Sequence, residues 1–187
     1  MNHWPDEIEA HNILNEWCSN LNLKKHAYAV SAAMKEYAGR LGEDHARWEV
    51  VGLLHDFDYE KYSTRETHPY KGCEILREKG YAQDLIDGIL AHAEYTGMTR
   101  DTAMKKTIFA VDELTGLIVA VALTRPSKKI VDVTTESILK KWNQKSFAAG
   151  VNRSEIEQGA REIGIPLEEH ISIVLRAMQG IADKLGL

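Results

Sequence analysis

The sequence predicts an all-α protein, a single multi-helix bundle, and three observations predict it. Apolar residues recur at three- and four-residue intervals through most of the 187 residues. Pro5, Pro69, Pro126 and Pro166, with Gly42, Gly80, Gly97 and Gly186, mark the ends of these periodic stretches. The run richest in β-branched residues, Ile130–Thr134, is too short and too isolated to build a sheet.

The elements follow in order. A first helix, Asp6–Cys18, opens behind Pro5, and a second, Leu23–Leu41, stops at Gly42. A third covers about Glu43–Asp56. The fourth starts at Pro69, a favoured first-turn position, and ends at Gly80. The fifth spans about Ala82–Tyr95 before Gly97, and the sixth runs from Asp101 to about Leu123, ahead of Arg125-Pro126. Thr135–Lys145 and Arg153–Ile163 are shorter, and a last helix continues from Pro166 to Lys184 and Gly186. No repeat or flexible linker divides the chain, so residues 1–187 are expected to form one domain.

Composition excludes several classes. Hydrophobic residues are 44% and charged residues 27%, the balance of a globular protein rather than a disordered one. A net charge of −5 does not suit a partner that is bulk nucleic acid. The longest apolar run, Leu117–Leu123, has seven residues, far short of the ~20 that a membrane span needs. The first residues, Met-Asn-His-Trp-Pro-Asp-Glu, lack a signal peptide's basic start, and two cysteines, Cys18 and Cys73, read as packing residues in a reducing compartment. A cytoplasmic location is the expectation.

The chemistry lies where polar residues interrupt apolar stripes. On the second helix the stripe Leu23, His26, Val30, Ala33, Met34, Tyr37, Leu41 gives His26 a core position. The run Val50-Val51-Gly52-Leu53-Leu54 leads straight into His55-Asp56. Asp112 shares a face with Ile108, Val111, Thr115 and Val119, His92 follows Leu85 and Ile89, and His68 precedes Pro69. A carboxylate buried alone costs several kcal/mol or takes up a proton. Two aspartates and several imidazoles aimed at one interior therefore call for a shared cation, and these donors suit a divalent transition metal. The remaining histidines, His3, His11, His45 and His170, read as surface residues.

Charge is uneven. Thr124–Arg153 holds seven basic residues against two acidic ones, +5, which leaves −10 on the rest. Two readings apply: solvated helix faces, or a basic wall for a phosphate-bearing ligand.

The order His26, His55-Asp56, Asp112 resembles the H…HD…D ligand set of the HD-domain superfamily of metal-dependent phosphohydrolases. The likeness covers about residues 20–125, with 126–187 as a helical extension packed on that core. The segments Asp112-Glu-Leu-Thr-Gly-Leu-Ile, Arg125-Pro-Ser-Lys and Lys145-Ser-Phe-Ala-Ala-Gly-Val resemble small stand-alone HD hydrolases. The resemblance implies that His26, His55, Asp56 and Asp112 bind one metal and that His68 and His92 hold a second, with Asp56 bridging. It implies one or two divalent ions per chain (Mn, Fe, Co, Ni, Zn or Mg) and hydrolysis of a phosphate ester of a small, nucleotide-like substrate by metal-activated water. On that reading Arg125, Lys128 and Lys145 offset phosphate charge, and Asp58 or Glu94 orients water or moves a proton. Members that cleave cyclic dinucleotides often read His-Asp-Ile-Gly-Lys; this chain has His55-Asp56-Phe57-Asp58-Tyr59, which points away from that substrate. The alternative is a non-catalytic metal- or nucleotide-binding module.

Overall fold

A computed structural model describes residues 3–144 and 146–187. Among these residues there are ten α-helices and no named strand: α1 Glu7–Trp17, α2 Leu21–Leu41, α3 His45–Leu54, α4 Tyr70–Glu78, α5 Gln83–Ala91, α6 Ala103–Leu123, α7 Thr135–Trp142, α8 Arg153–Ile163, α9 Leu167–Gln179 and α10 Ala182–Leu185. Short 3-10 turns occupy Glu94–Thr96 and Ile130–Asp132, the latter where the β-branched run lies.

Side-chain caps set half of the ten helix starts. The carboxylates of Asp6 and Asp44, the amide of Asn20 and the hydroxyls of Thr102 and Thr134 each accept a backbone N–H from the first turn, which would otherwise lack a partner. Gly42 and Gly164 close α2 and α8 in the left-handed conformation (φ 72° and 78°).

Helix α6 is the axis of the molecule. It is apolar nearly all round, burying Ile108, Val111, Leu114, Leu117, Ile118 and Val121, and it is packed by α2, α5, α7, α8 and α9. The close seat of α8 depends on Gly159, where a Cβ would come within 2.4 Å of Ala110 Cα. Helix α2 crosses α6 and carries α3 on its other flank, so α2, α3 and α6 converge at one level. Residues 126–187 add α7 to α10 against α6, α2 and α9.

Four expectations need correction. The fifth helix ends at Ala91 rather than Tyr95, and the last divides at Gly180–Ile181 into α9 and α10. Leu41, placed on the inward stripe of α2, is exposed at its final residue. His170, read as a surface residue, is fully buried: its Nε2 lies 2.8 Å from the Ala110 carbonyl and its Nδ1 2.6 Å from the Tyr37 hydroxyl. Both ring nitrogens are satisfied, so an apolar stripe on α9 tolerates it. Cys18 and Cys73 are buried and free. No helix among the described residues is long and apolar enough to cross a membrane.

Candidate metal centre

Helices α2 and α6 deliver His26 and Asp112 from their interiors. His55 and His92 arrive differently, each as the residue closing a helix. The His55 ring Nδ1 lies 2.8 Å from the Gly52 carbonyl at the end of α3, and the His92 Nδ1 lies 2.6 Å from the Ile89 carbonyl at the end of α5. A helix terminus leaves its last carbonyls without N–H partners. The imidazole N–H takes one of them, ends the helix and fixes the direction of Nε2. The same device serves twice.

His68 stands in the loop before α4, joined to Pro69 by a cis peptide bond. Its Nδ1 lies 2.7 Å from Asp58 Oδ1, while Asp58 Oδ2 accepts the Gly72 N–H at 2.8 Å. Gly72 is required here, because a Cβ would come within 2.8 Å of the Asp58 carboxylate. His26 Nδ1 meets the Thr115 hydroxyl at 3.2 Å, and that hydroxyl donates to the Asp112 carbonyl at 2.8 Å, so the ring N–H donates to Thr115. In all four histidines, then, Nδ1 carries the proton and Nε2 presents a lone pair, a tautomer assigned from these partners.

The Nε2 atoms converge. His26 and His55 approach to 3.1 Å, with Asp112 Oδ1 2.9 Å from His26 and 3.4 Å from His55. His68 and His92 approach to 3.2 Å, with Asp56 Oδ1 3.1 Å and 3.4 Å away. Asp56 turns its other oxygen, Oδ2, to the first group, 3.5 Å from His55 and 3.7 Å from His26. Ligand atoms about 2.0–2.2 Å from a shared ion lie about 2.8–3.6 Å from one another, and both three-residue groups fall in that range. Two imidazole lone pairs facing each other at 3.1 Å repel unless a proton or a metal lies between them. The donor set therefore fits two divalent ions with one carboxylate shared.

The electrostatics agree with a seat for cations. Burial opposes charge on His55, yet Asp56 and Asp112 outweigh it and raise the imidazole well above its ordinary pKa. For His68 burial is again opposed and overcome, by Asp56 and Asp58, and its pKa is pushed up to about 9. Burial would raise Asp56 and Asp112, but the surrounding imidazoles hold both carboxyls well below the usual range. His92, by contrast, is lowered by burial.

These groups open into a pocket of about 460 Å³, also lined by Tyr59, Arg65, Glu94, Tyr95, Glu113, Asn152 and Glu155. Sequence periodicity did not single out Arg65, Glu113 or Glu155. Glu113 had one signal, its place beside Asp112; Arg65 had only its position three residues before His68. The Arg65 guanidinium lies 5.3 Å from the centre of the Tyr95 ring, and Tyr95 donates to the His68 carbonyl at 3.0 Å. Burial, and then the Asp112 charge, push the Glu113 carboxyl up to about 7.

Among the described residues, no basic side chain of the Thr124–Arg153 segment lines this pocket. Arg125 lies two residues past the end of α6 and does not line the pocket. Lys128, on the loop that follows, is likewise absent from the pocket lining. Lys145 lies outside the described residues. Lys140 pairs with Glu136 on the surface, and the Arg153 guanidinium donates to the Phe147, Ala148 and Val151 carbonyls, bracing the loop that presents Asn152.

The two candidate proton carriers separate as well. Asp58 is buried with both oxygens committed, so it orients His68 instead of touching water. Glu94 does line the pocket, paired with Arg100 at 2.7 Å. An Asp58→Asn variant sets an amide N–H against the Gly72 N–H. It is expected to weaken the ion at His68 and His92 by about 10–100-fold and to spare the one at His26, His55 and Asp112. Equilibrium metal titration with stoichiometry read by elemental analysis checks this; equal weakening at both positions would contradict it.

Comparison with known proteins follows the same line. The chain is 26% identical over 147 residues to Ribonuclease Y of Nitratidesulfovibrio vulgaris strains DP4 and Hildenborough. The alignment takes in 77% of this chain and only 27% of either relative, so the chain spans little more than a quarter of their length. No solved structure matches significantly. The model of the HD domain matches residues 23–122, the stretch that carries all six converging ligands and more than half of the sequence. The chain belongs to the HD domain family, within a superfamily of metal-dependent phosphohydrolases.

Proposed function

We propose that the protein hydrolyses a phosphate ester of a small substrate held in the pocket above His26, His55, Asp56, His68, His92 and Asp112. The observation that carries this reading is the division of Asp56, one oxygen facing each group of three ligands. A carboxylate shared in this way favours two ions side by side, the arrangement suited to clamping a phosphoryl group. When bound, divalent ions there supply Lewis-acid charge for the non-bridging oxygens and bring the pKa of water toward neutrality.

The chain's own residues do the rest. The Thr115 hydroxyl, the Gly52 and Ile89 carbonyls and the Asp58 carboxylate hold the four rings in the tautomer that binds metal. Arg65, resting on Tyr95, offers guanidinium donors to phosphate oxygens. Glu94 and Glu113 line the pocket, placed to accept a proton from water or, once protonated, to give one to the leaving oxygen.

Protein stripped of metal and resupplied with manganese or cobalt is expected to hydrolyse a phosphate ester drawn from a panel of nucleotides and sugar phosphates. His55→Ala and Asp112→Ala are each expected to cut that rate by at least about 100-fold while the far-ultraviolet circular dichroism stays helical. Full activity in both variants would refute the assignment.

A further inference from the structure

The charge around the pocket is arranged for one phosphate and against a second. Among the described residues the lining contains one arginine, Arg65, and no lysine, with three carboxylates that belong to neither ligand group: Glu94, Glu113 and Glu155. These carboxylates come from three elements, the 3-10 turn after α5, α6 and α8. Their known partners leave acceptor capacity. Glu113 Oε2 accepts the Asn152 N–H at 3.0 Å, and Glu155 Oε1 accepts the Asn152 side-chain amide at 2.6 Å. A carboxyl group keeps acceptor lone pairs on its oxygens in either protonation state, so each of these two can take further donors.

Resting on the hydrolase reading above, we infer that the pocket takes a phosphate monoester whose alcohol portion donates hydrogen bonds, through hydroxyl or ammonium groups, to Glu113 and Glu155. The phosphate sits toward the two ligand groups and Arg65, and the alcohol portion extends to α6 and α8. A strand with further phosphates would bring them against this carboxylate side of the pocket, where Glu155 has no cationic partner among the described residues and like charges repel. RNA, the substrate named in Ribonuclease Y, is disfavoured on this ground.

The test uses the manganese-loaded full chain and phosphonates, whose C–P bond keeps binding separate from turnover. Calorimetric titration compares 3,4-dihydroxybutylphosphonate, 3-aminopropylphosphonate and butylphosphonate with an RNA hexanucleotide. Either the hydroxylated or the amino ligand is expected to bind at least about tenfold more tightly than butylphosphonate, and the tighter of the two identifies the donor. Glu155→Leu is expected to reduce that preference to about threefold or less. The hexanucleotide is expected to bind more tightly as salt is raised, since screening relieves repulsion, the opposite of the behaviour of a nucleic-acid-binding surface. Equal affinities for the three phosphonates, or hexanucleotide binding that strengthens as salt is lowered, overturns the inference. If the ranking holds while no phosphate ester is turned over, the substrate preference stands and the hydrolase reading fails. If esters are turned over without the ranking, only the preference fails.

Discussion

An Asp56→Ala variant is expected to lose both ions at once, whereas Asp112→Ala loses only the one at His26 and His55. The difference follows from the position of Asp56: Oδ1 completes the group with His68 and His92, and Oδ2 faces His26 and His55. Removing this carboxylate leaves four neutral imidazoles whose lone pairs face one another in a buried space, with only Asp112 to offset a divalent charge. Elemental analysis after manganese loading is expected to fall from two ions per chain to fewer than one in Asp56→Ala, and to about one in Asp112→Ala. Two ions retained in Asp56→Ala would mean that the two groups do not share this ligand. Hydrolysis is expected to fall by about 1000-fold in Asp56→Ala, since both the clamp and the polarising charge are lost together.

The second large effect is on stability below neutral pH, and it comes from His170. Burial lowers this imidazole from 6.5 to about 4, against a small opposing contribution from the Ala110 carbonyl. The folded pKa lies below the unfolded one, so between these values the unfolded chain binds the proton and the folded chain does not. Stability is therefore complete above about pH 6.5 and declines as pH falls toward 4. A shift of this size corresponds to about 3 kcal/mol by the lower limit of that window. Urea unfolding of metal-free protein at pH 7 and pH 4.5, in the native chain and in His170→Gln, isolates the effect from the other titrating groups. The native chain is expected to lose about 2–3 kcal/mol more than the variant over this interval. Parallel losses in the two proteins would exclude His170 as the cause.

The elements differ in how readily they could be read from the chain, and the reason is physical. Where a helix is bounded by its own chemistry, sequence is enough. Gly42 ends α2 in the left-handed conformation, at the boundary its position in the sequence predicts. The end of α5 is harder, because it is set by the His92 ring N–H taking the Ile89 carbonyl, a choice between two local hydrogen bonds that periodicity does not report. His170 was misplaced for a similar reason. Its burial depends on Tyr37, 133 residues away in sequence, and on the Ala110 carbonyl.

The basic segment shows the limit most plainly. Seven basic residues between Thr124 and Arg153 are visible as a count, yet Arg125 lies past the end of α6 and outside the pocket lining, Lys140 pairs with Glu136, and Arg153 is spent on loop carbonyls. The cation that lines the pocket, Arg65, belongs to no such run, and it reaches the site because Tyr95 and His68 position its loop. Charge composition sums over a segment, whereas a binding site samples single side chains from several.

Sequence by itself determined the helical class, because a 3.6-residue apolar period can bury its stripe only as a helix. It also determined which imidazoles and carboxylates interrupt those stripes, because their positions on the stripe follow from spacing alone. Tertiary structure decided that these residues form two groups with Asp56 divided between them, that Asp58 serves His68 from behind, and that carboxylates outnumber cations around the described pocket. Those facts depend on distances of about 3 Å between atoms from α2, α3, α5 and α6, and the crossing of packed helices, not the order of residues along any one of them, sets such distances.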